Sequence, residues 1–139
     1  GSPRSKAPLD AHQAKPNLPI LVVQKYLKDP ILYKNRKFDI RCYALIIKST
    51  RKASVFYYRE GYIRTSSFDY DCSNIQNMMV HLTNEGIQLN DKTSFGKHEA
   101  GNKVYYKEMN AYLNEQPALL SRKMTFSEHI LPEMQVITK

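Results

Sequence analysis

Apolar and polar positions alternate most cleanly between Lys37 and Ile47. Phe38, Ile40, Cys42, Ala44 and Ile46 fall at every second residue, with Lys37, Asp39, Arg41 and Tyr43 between them. A period of two belongs to a strand with unlike faces. The pattern therefore predicts a strand with one core-facing and one charged face. The polar run Lys48 to Lys52 reads as the loop that follows it. Val55 to Arg59 reads as a second, aromatic-rich strand, Glu60-Gly61 as a tight turn, and Tyr62 to Ser66 as the returning strand of an antiparallel meander. Upstream, the β-branched run Ile20 to Val23 predicts a short buried strand that continues into Gln24-Lys25-Tyr26-Leu27. It ends at Lys28-Asp29-Pro30, because proline cannot donate to a ladder.

Downstream the pattern changes. Ser67 to Gln76 is polar and turn-rich. Met78 to Leu82 is a short apolar segment, read as extended through Thr83-Asn84, and 85–101 reads as a polar loop. From Asn102 onward Tyr105, Met109, Tyr112 and Leu113 recur at helical spacing, which predicts an amphipathic helix broken at Pro117. A second helical segment is expected from Ser127 as N-cap, with Pro132 interrupting or ending it. Together these elements predict an α+β fold, an antiparallel sheet with flanking helices, over residues 20–139. Residues 1–19 are rich in Pro, Ala and Lys, lack periodicity and read as a flexible lead-in, with Gly1-Ser2 a remnant of tag removal.

Apolar residues make up 42% of the 139, enough for a core. No apolar run approaches the ~20 residues of a membrane-spanning helix. The two cysteines, Cys42 and Cys72, are far apart and without metal-ligand spacing, which favours a reducing, cytoplasmic setting. The net charge of +8 is lopsided: residues 1–64 hold 14 Lys/Arg against 4 Asp/Glu (+10), and residues 65–139 hold 7 against 9 (−2). A basic half suits phosphate or an acidic protein surface, and equally a solvated basic face.

The sharpest candidate chemistry is the row Lys37-x-Asp39-x-Arg41. Alternate strand residues project from one face about 7 Å apart, so two cations flank one carboxylate. Such a row suits a polyanion such as a triphosphate, and would serve equally as a solvated strand face. Arg59 and Arg64 arrive on the neighbouring strands, and the guanidinium fork matches phosphate and carboxylate. His81-Leu82-Thr83-Asn84 offers further groups for phosphate oxygens or a metal-bound water, or else a capped strand end. Neither helix-start phosphate loop, no Gly-x-Ser-x-Gly elbow and no zinc spacing of His12, His81, His98 and His129 is present. The aromatics of the basic half could stack single-stranded nucleic acid, but core and cross-strand pairing is the commoner use, so no nucleic-acid partner is expected.

Taken in order, Val23-Gln24-Lys25-Tyr26-Leu27, Arg36-Lys37-Phe38-Asp39-Ile40-Arg41, Tyr58-Arg59-Glu60-Gly61-Tyr62-Ile63-Arg64-Thr65-Ser66-Ser67 and His81-Leu82-Thr83-Asn84 resemble the tubulin–tyrosine ligase family of ATP-grasp ligases. The match covers residues 20 to about 113. The later pieces Ile87-Gln88, Phe95-Gly96, Glu99-x-Gly101-Asn102 and Glu108-Met109-Asn110-x-Tyr112-Leu113 are closest to its tyrosine ligase branch. Leu89 departs from the pattern, standing where the family carries lysine. The resemblance implies a fragment of an ATP-grasp fold, acting with ATP, magnesium, a free amino acid and the acidic C-terminal tail of tubulin, in the cytoplasm on microtubules. Tyrosine is the expected addition. A glutamate- or glycine-adding relative, and a non-catalytic basic module that binds acidic tubulin tails, are the alternatives. By the same resemblance Gln24, Lys25, Tyr26 and Leu27 would hold the adenine, Lys37 and Asp39 would contact the nucleotide, and Arg41 would reach its phosphates. Arg64 would hold the acyl-phosphate or incoming amino acid, and His81, Thr83 and Asn84 would complete the phosphate end. The magnesium ligands would lie outside residues 1–139, so these residues alone are not expected to catalyse.

Overall fold

The computed structural model describes residues 21–116 and 125–138. The predicted lead-in 1–19, Ile20 and Pro117 lie outside them. Strand β1, Phe38–Lys48, and strand β2, Ala53–Thr65, form an antiparallel hairpin. Its turn closes with Ser49 N–H donating to the Lys52 carbonyl at 2.8 Å. A third strand, β3 (Lys103–Tyr105), pairs with β2, so the sheet order is β1-β2-β3. The excursion between β2 and β3 carries two single-turn helices, α1 (Met78–His81) and α2 (Glu85–Gln88), and a 3-10 turn at Ala100–Asn102. Helix α3 (Tyr106–Asn114) follows β3 directly; a π-type turn (Phe126–Ile130) leads into α4 (Leu131–Ile137).

The register explains the two faces. Phe38 pairs with Thr65, Asp39 with Arg64, Ile40 with Ile63 and Arg41 with Tyr62. Paired residues share a face. One face therefore presents Phe38, Ile40, Ile63 and Val104 to α3, forming a core with Tyr33, Tyr106, Met109, Leu113 and Phe126. The other face carries Asp39, Arg64 and Lys103 in one row, with Arg41, Tyr62 and Tyr105 in the next.

Glu60-Gly61 is not a turn: β2 runs through it unbroken. Between Arg41 and Tyr43 the register shifts, so that Tyr43 pairs with Tyr58. Two extra residues of β2 are absorbed there as a bulge. An even shift keeps the faces in phase. Gly61 is needed for close approach instead. A Cβ at this position would lie 2.3 Å from the Tyr106 hydroxyl and 2.4 Å from the Arg41 carbonyl. That hydroxyl passes under the strand and donates to the Arg41 carbonyl at 3.1 Å.

Other expectations are corrected. Leu21, Val22 and Val23 form no strand and are at least 79% exposed, since an apolar run does not define its own partner. Ala44 and Ile46 are exposed because α3 covers only the Phe38 end of β1. Phe38 packs against the core without being fully buried. Met78 to His81 is helical, its N-cap Asn77 accepting from Met79 N–H at 3.1 Å. Tyr105 ends β3, exposed, and its N–H is taken by Glu108 at 3.1 Å, so the helix starts one residue later. The cap of the last helical segment is Thr125, whose hydroxyl accepts from Glu128 N–H, and Ser127 lies within the turn. Pro132 sits in the first turn of α4, where a missing N–H costs nothing.

Between the elements lies a buried polar knot. Tyr33 and Arg36 bracket a tight turn whose central residues, Lys34 and Asn35, both have positive φ. The turn places the Arg36 guanidinium, 2% exposed, against Glu99 at 2.8 Å, the Ser66 carbonyl at 3.1 Å and the Thr65 hydroxyl at 3.3 Å. Asn102, also at positive φ, donates to the Thr65 carbonyl and the Ser67 hydroxyl and accepts from Gly96 N–H. Burial pushes the Glu99 carboxyl up, but the hydrogen bond and charge of Arg36 outweigh it, and the group sits below its ordinary value.

Two substitutions test this packing. Gly61→Ala should lower stability by about 1–3 kcal/mol, the range for overpacking, because both atoms it meets are held, one of them backbone; an unchanged melting temperature would refute the close approach. Glu99→Gln should cost about 3–5 kcal/mol by leaving a buried guanidinium without its counter-charge. A depressed folded-state pKa stabilises above the unfolded value of 4.5 and is lost as pH falls through the folded one. Wild-type stability should thus decline in acid below that value, and the glutamine variant should lack this component of the decline in pH-resolved denaturant melts.

Candidate functional site

The charged sheet face forms the floor of the site. Arg64 Nε lies 3.1 Å from both Asp39 carboxylate oxygens, and Nη2 lies 2.7 Å from Oδ2. The pair is cross-strand and partly buried, and the hydrogen bond that Arg64 donates to Asp39 raises Arg64 above its ordinary value, so it is always a cation. Thr83 closes the carboxylate from above by donating to Asp39 Oδ1. Asp39 is consequently committed to orienting Arg64 and is not available as a general base.

Thr83 is aimed by residues behind it. Gln88 is fully buried; its amide donates to the carbonyls of Met79 at 2.9 Å and Leu82 at 2.7 Å, and its oxygen accepts from Ser67 N–H at 2.8 Å. Ser66 donates to the same Met79 carbonyl at 2.9 Å. The Thr65-Ser66-Ser67 piece and Gln88 of the sequence pattern are therefore supports, buried beneath the groups that face outward.

Lys37 continues the β1 face one residue upstream, its carbonyl accepting from Ser66 N–H at 2.8 Å. Its ammonium lies 3.1 Å from the Tyr26 hydroxyl. An open cleft of about 480 Å³ lies beside it, lined by Gln24, Lys25, Tyr26, Leu27, Pro30 and Lys37. Gln24, Lys25 and Leu27 are exposed there, and the segment forms neither strand nor helix.

The predicted residues thus divide. The fold joins Asp39, Arg64 and Thr83 directly and brings Lys37 to Tyr26. Arg41 is exposed on the same face and makes no side-chain hydrogen bond or ion pair among the described residues. Asn84 is exposed at the start of α2, with no capping hydrogen bond from its side chain. His81 differs from the expectation. It is 7% exposed and both ring nitrogens are taken, Nδ1 by Tyr26 at 2.7 Å and Nε2 by the Asn74 carbonyl at 2.9 Å, so neither is left for a phosphate oxygen. Arg59 lies in the bulge, 86% exposed, beside Glu60 alone at 3.8 Å.

Sequence reasoning missed Lys103. It pairs with Arg64 across β2 and β3, stands over the Tyr62 ring and reaches Glu85 at 3.4 Å. Its strand has three residues, too few for a period-two signal. Lys37, Arg41, Arg64 and Lys103 against Asp39 and Glu85 leave this surface at +2, a match for a polyanion. Among the described residues no group of three His, Cys, Asp or Glu could hold a metal ion.

Comparison with known proteins gives the same direction. "Tubulin glycylase 3C" of Tetrahymena thermophila is 34% identical over 94 residues, 63% of this chain and 8% of that protein. "Tubulin glycylase 3A" of Drosophila melanogaster is 48% identical over 67 residues, 48% of this chain and 7% of that protein. "Tubulin polyglutamylase ttll-5" of Caenorhabditis elegans is 42% identical over 83 residues, 58% of this chain and 11% of that protein. The chain thus spans about a tenth of the length of these relatives. Residues 10–137 match the model of the Tubulin-tyrosine ligase family, and with nearly the whole chain covered it belongs to that family.

Proposed function

We propose that this chain forms the nucleotide- and phosphate-facing part of an ATP-dependent ligase that adds glycine or glutamate to the C-terminal tail of tubulin. The observation that carries the reading is the Asp39–Arg64 pair, locked by Thr83 on a sheet face it shares with Arg41 and Lys103. The names of the relatives favour glycine or glutamate over the tyrosine expected from the motifs.

The reaction has two steps. A tail carboxylate takes the γ-phosphoryl group of ATP, giving an acyl phosphate and ADP. The amine of the incoming amino acid then attacks the acyl carbon, forming the amide and releasing phosphate and a proton. Charge accumulates on phosphoryl oxygens in the first step and on the tetrahedral oxyanion in the second. Arg64, held rigid by Asp39, presents its remaining N–H groups without reorganising, and the uncommitted Arg41 guanidinium and Lys103 widen the positive field. The cleft at Gln24 to Leu27 offers exposed backbone and Tyr26 for the base, and Lys37 faces the phosphate chain. Asn84 stands at the phosphate end beside Thr83. Magnesium, when bound, would neutralise phosphate charge, through ligands outside the described residues. The basic half of the chain suits an acidic tail, and the site of action would be cytoplasmic, on microtubules.

Two measurements test the reading in a protein that carries this chain at the full length of its relatives. Arg64→Ala should reduce ligation about 10²–10³-fold, the effect of losing one preorganised donor, while leaving the melting temperature close to wild type; turnover within a few-fold of wild type removes Arg64 from the chemistry. Given ATP and tubulin, the protein should incorporate glycine or glutamate into tail peptides read by mass spectrometry. Incorporation of tyrosine alone would reverse the assignment of the amino acid.

A further inference from the structure

We infer that Tyr26 and His81 are positioning residues: they form a directed hydrogen-bond relay that fixes the Lys37 ammonium at the mouth of the cleft. The inference rests on the nucleotide-binding reading of that cleft, and goes beyond it in assigning both side chains an indirect role.

The direction of the relay follows from what each group can donate. The Asn74 carbonyl can only accept, so His81 Nε2, 2.9 Å away, carries the proton. In the neutral imidazole Nδ1 is then the acceptor nitrogen, and the Tyr26 hydroxyl, 2.7 Å away, donates to it. With its single proton committed, the Tyr26 oxygen can only accept, and the Lys37 ammonium at 3.1 Å supplies the donor. The same ammonium lies 4.6 Å from the centre of the Tyr26 ring, at its hydroxyl end. Each of the three contacts then has one donor and one acceptor, and the neutral tautomer protonated on Nδ1 would leave the Asn74 carbonyl facing a bare ring nitrogen.

The surroundings hold the relay in place. The Tyr26 and Tyr70 rings meet His81 edge-on, with centroids at 5.5 and 5.7 Å. Tyr70 donates its hydroxyl proton to the Lys28 carbonyl at 2.7 Å, pinning the segment two residues beyond Tyr26. Residues 21–32 have no strand or helix of their own, so these side chains set where the lining of the cleft lies relative to Lys37. A lysine left alone samples many rotamers, all but a few of which are given up on binding an anion. Fixing it beforehand removes that cost.

The test is a double-mutant cycle in a protein that carries this chain at the full length of its relatives, reading affinity for the non-hydrolysable nucleotide AMP-PNP by calorimetry. Tyr26→Phe keeps the ring and removes the hydroxyl, and His81→Leu removes the imidazole. Each, like Lys37→Met, should weaken binding about tenfold, the scale of one hydrogen bond to a charged group. In the Lys37→Met background neither should weaken it further, because both act through that ammonium. A merely structural tether predicts additive losses, and additivity overturns the inference. Should His81→Leu fail to fold, Tyr26→Phe completes the cycle alone. Imidazole ¹⁵N spectra provide an arm independent of nucleotide. They should show His81 protonated on Nε2, with Tyr26→Phe shifting Nδ1 and leaving Nε2 in place, and a proton on Nδ1 in the wild type refutes the relay. Absence of AMP-PNP binding by the wild type would count against the nucleotide reading, and the spectra would then decide the relay by themselves.

Discussion

The arrangement depends on one buried ion pair. Arg36 is nearly inaccessible to water, and a guanidinium in that position must be neutralised and hydrogen-bonded on every side. Glu99 does the first, and the Thr65 hydroxyl and Ser66 carbonyl contribute to the second. These partners come from the turn before β1, the end of β2 and the loop before β3. Satisfying one charge therefore ties together three segments that are far apart in sequence. The core behind the sheet is small, and its apolar packing does not by itself specify where the long excursion between β2 and β3 returns. The ion pair, with Asn102 bridging Thr65 and Ser67, does specify it.

The site follows from that closure. With the end of β2 fixed, Gln88 can bind Ser67 and hold the carbonyls of Met79 and Leu82, and this aims Thr83 at Asp39. Behind the outward-facing charges there is thus a continuous layer of satisfied polar groups. Catalytic geometry requires such a layer, because a donor acts on a transition state only if it is already oriented. The turn side of the hairpin is built differently. Tyr43, Leu45, Ile46, Ile47, Val55, Phe56 and Tyr58 are all substantially exposed, on both faces of two strands that among the described residues pair with each other.

How much of this was legible in the chain differs from element to element. The alternation across β1 gave both faces correctly at its Phe38 end, because period two is a local property. The same alternation says nothing about whether a layer exists to cover each face, which is why Ala44 and Ile46 are exposed although the pattern puts them on the core side. Glu60-Gly61 reads as a turn from composition alone, but glycine also serves where another group must approach the backbone, and the Tyr106 hydroxyl that does so is 45 residues away (106 minus 61). The motif Glu99-x-Gly101-Asn102 was visible as a pattern, and its role as a polar clamp was not. Among the candidate site residues, Asp39, Arg64 and Thr83 converge, the His81 ring is not free to make the contact its motif suggests, and Lys103 has no local signal to read.

The chain alone is enough to specify the charged strand face of Asp39 and Arg41 that Lys37 extends, the amphipathic helix behind it, the basic bias of the first half and the family. Each of these is written in neighbouring residues or in ordered motifs. Which charges meet, which are spent on one another and which stay available to a ligand is settled in three dimensions. Those outcomes depend on cross-strand register and on donor and acceptor pairing over tens of residues, and neither has a local periodicity to read.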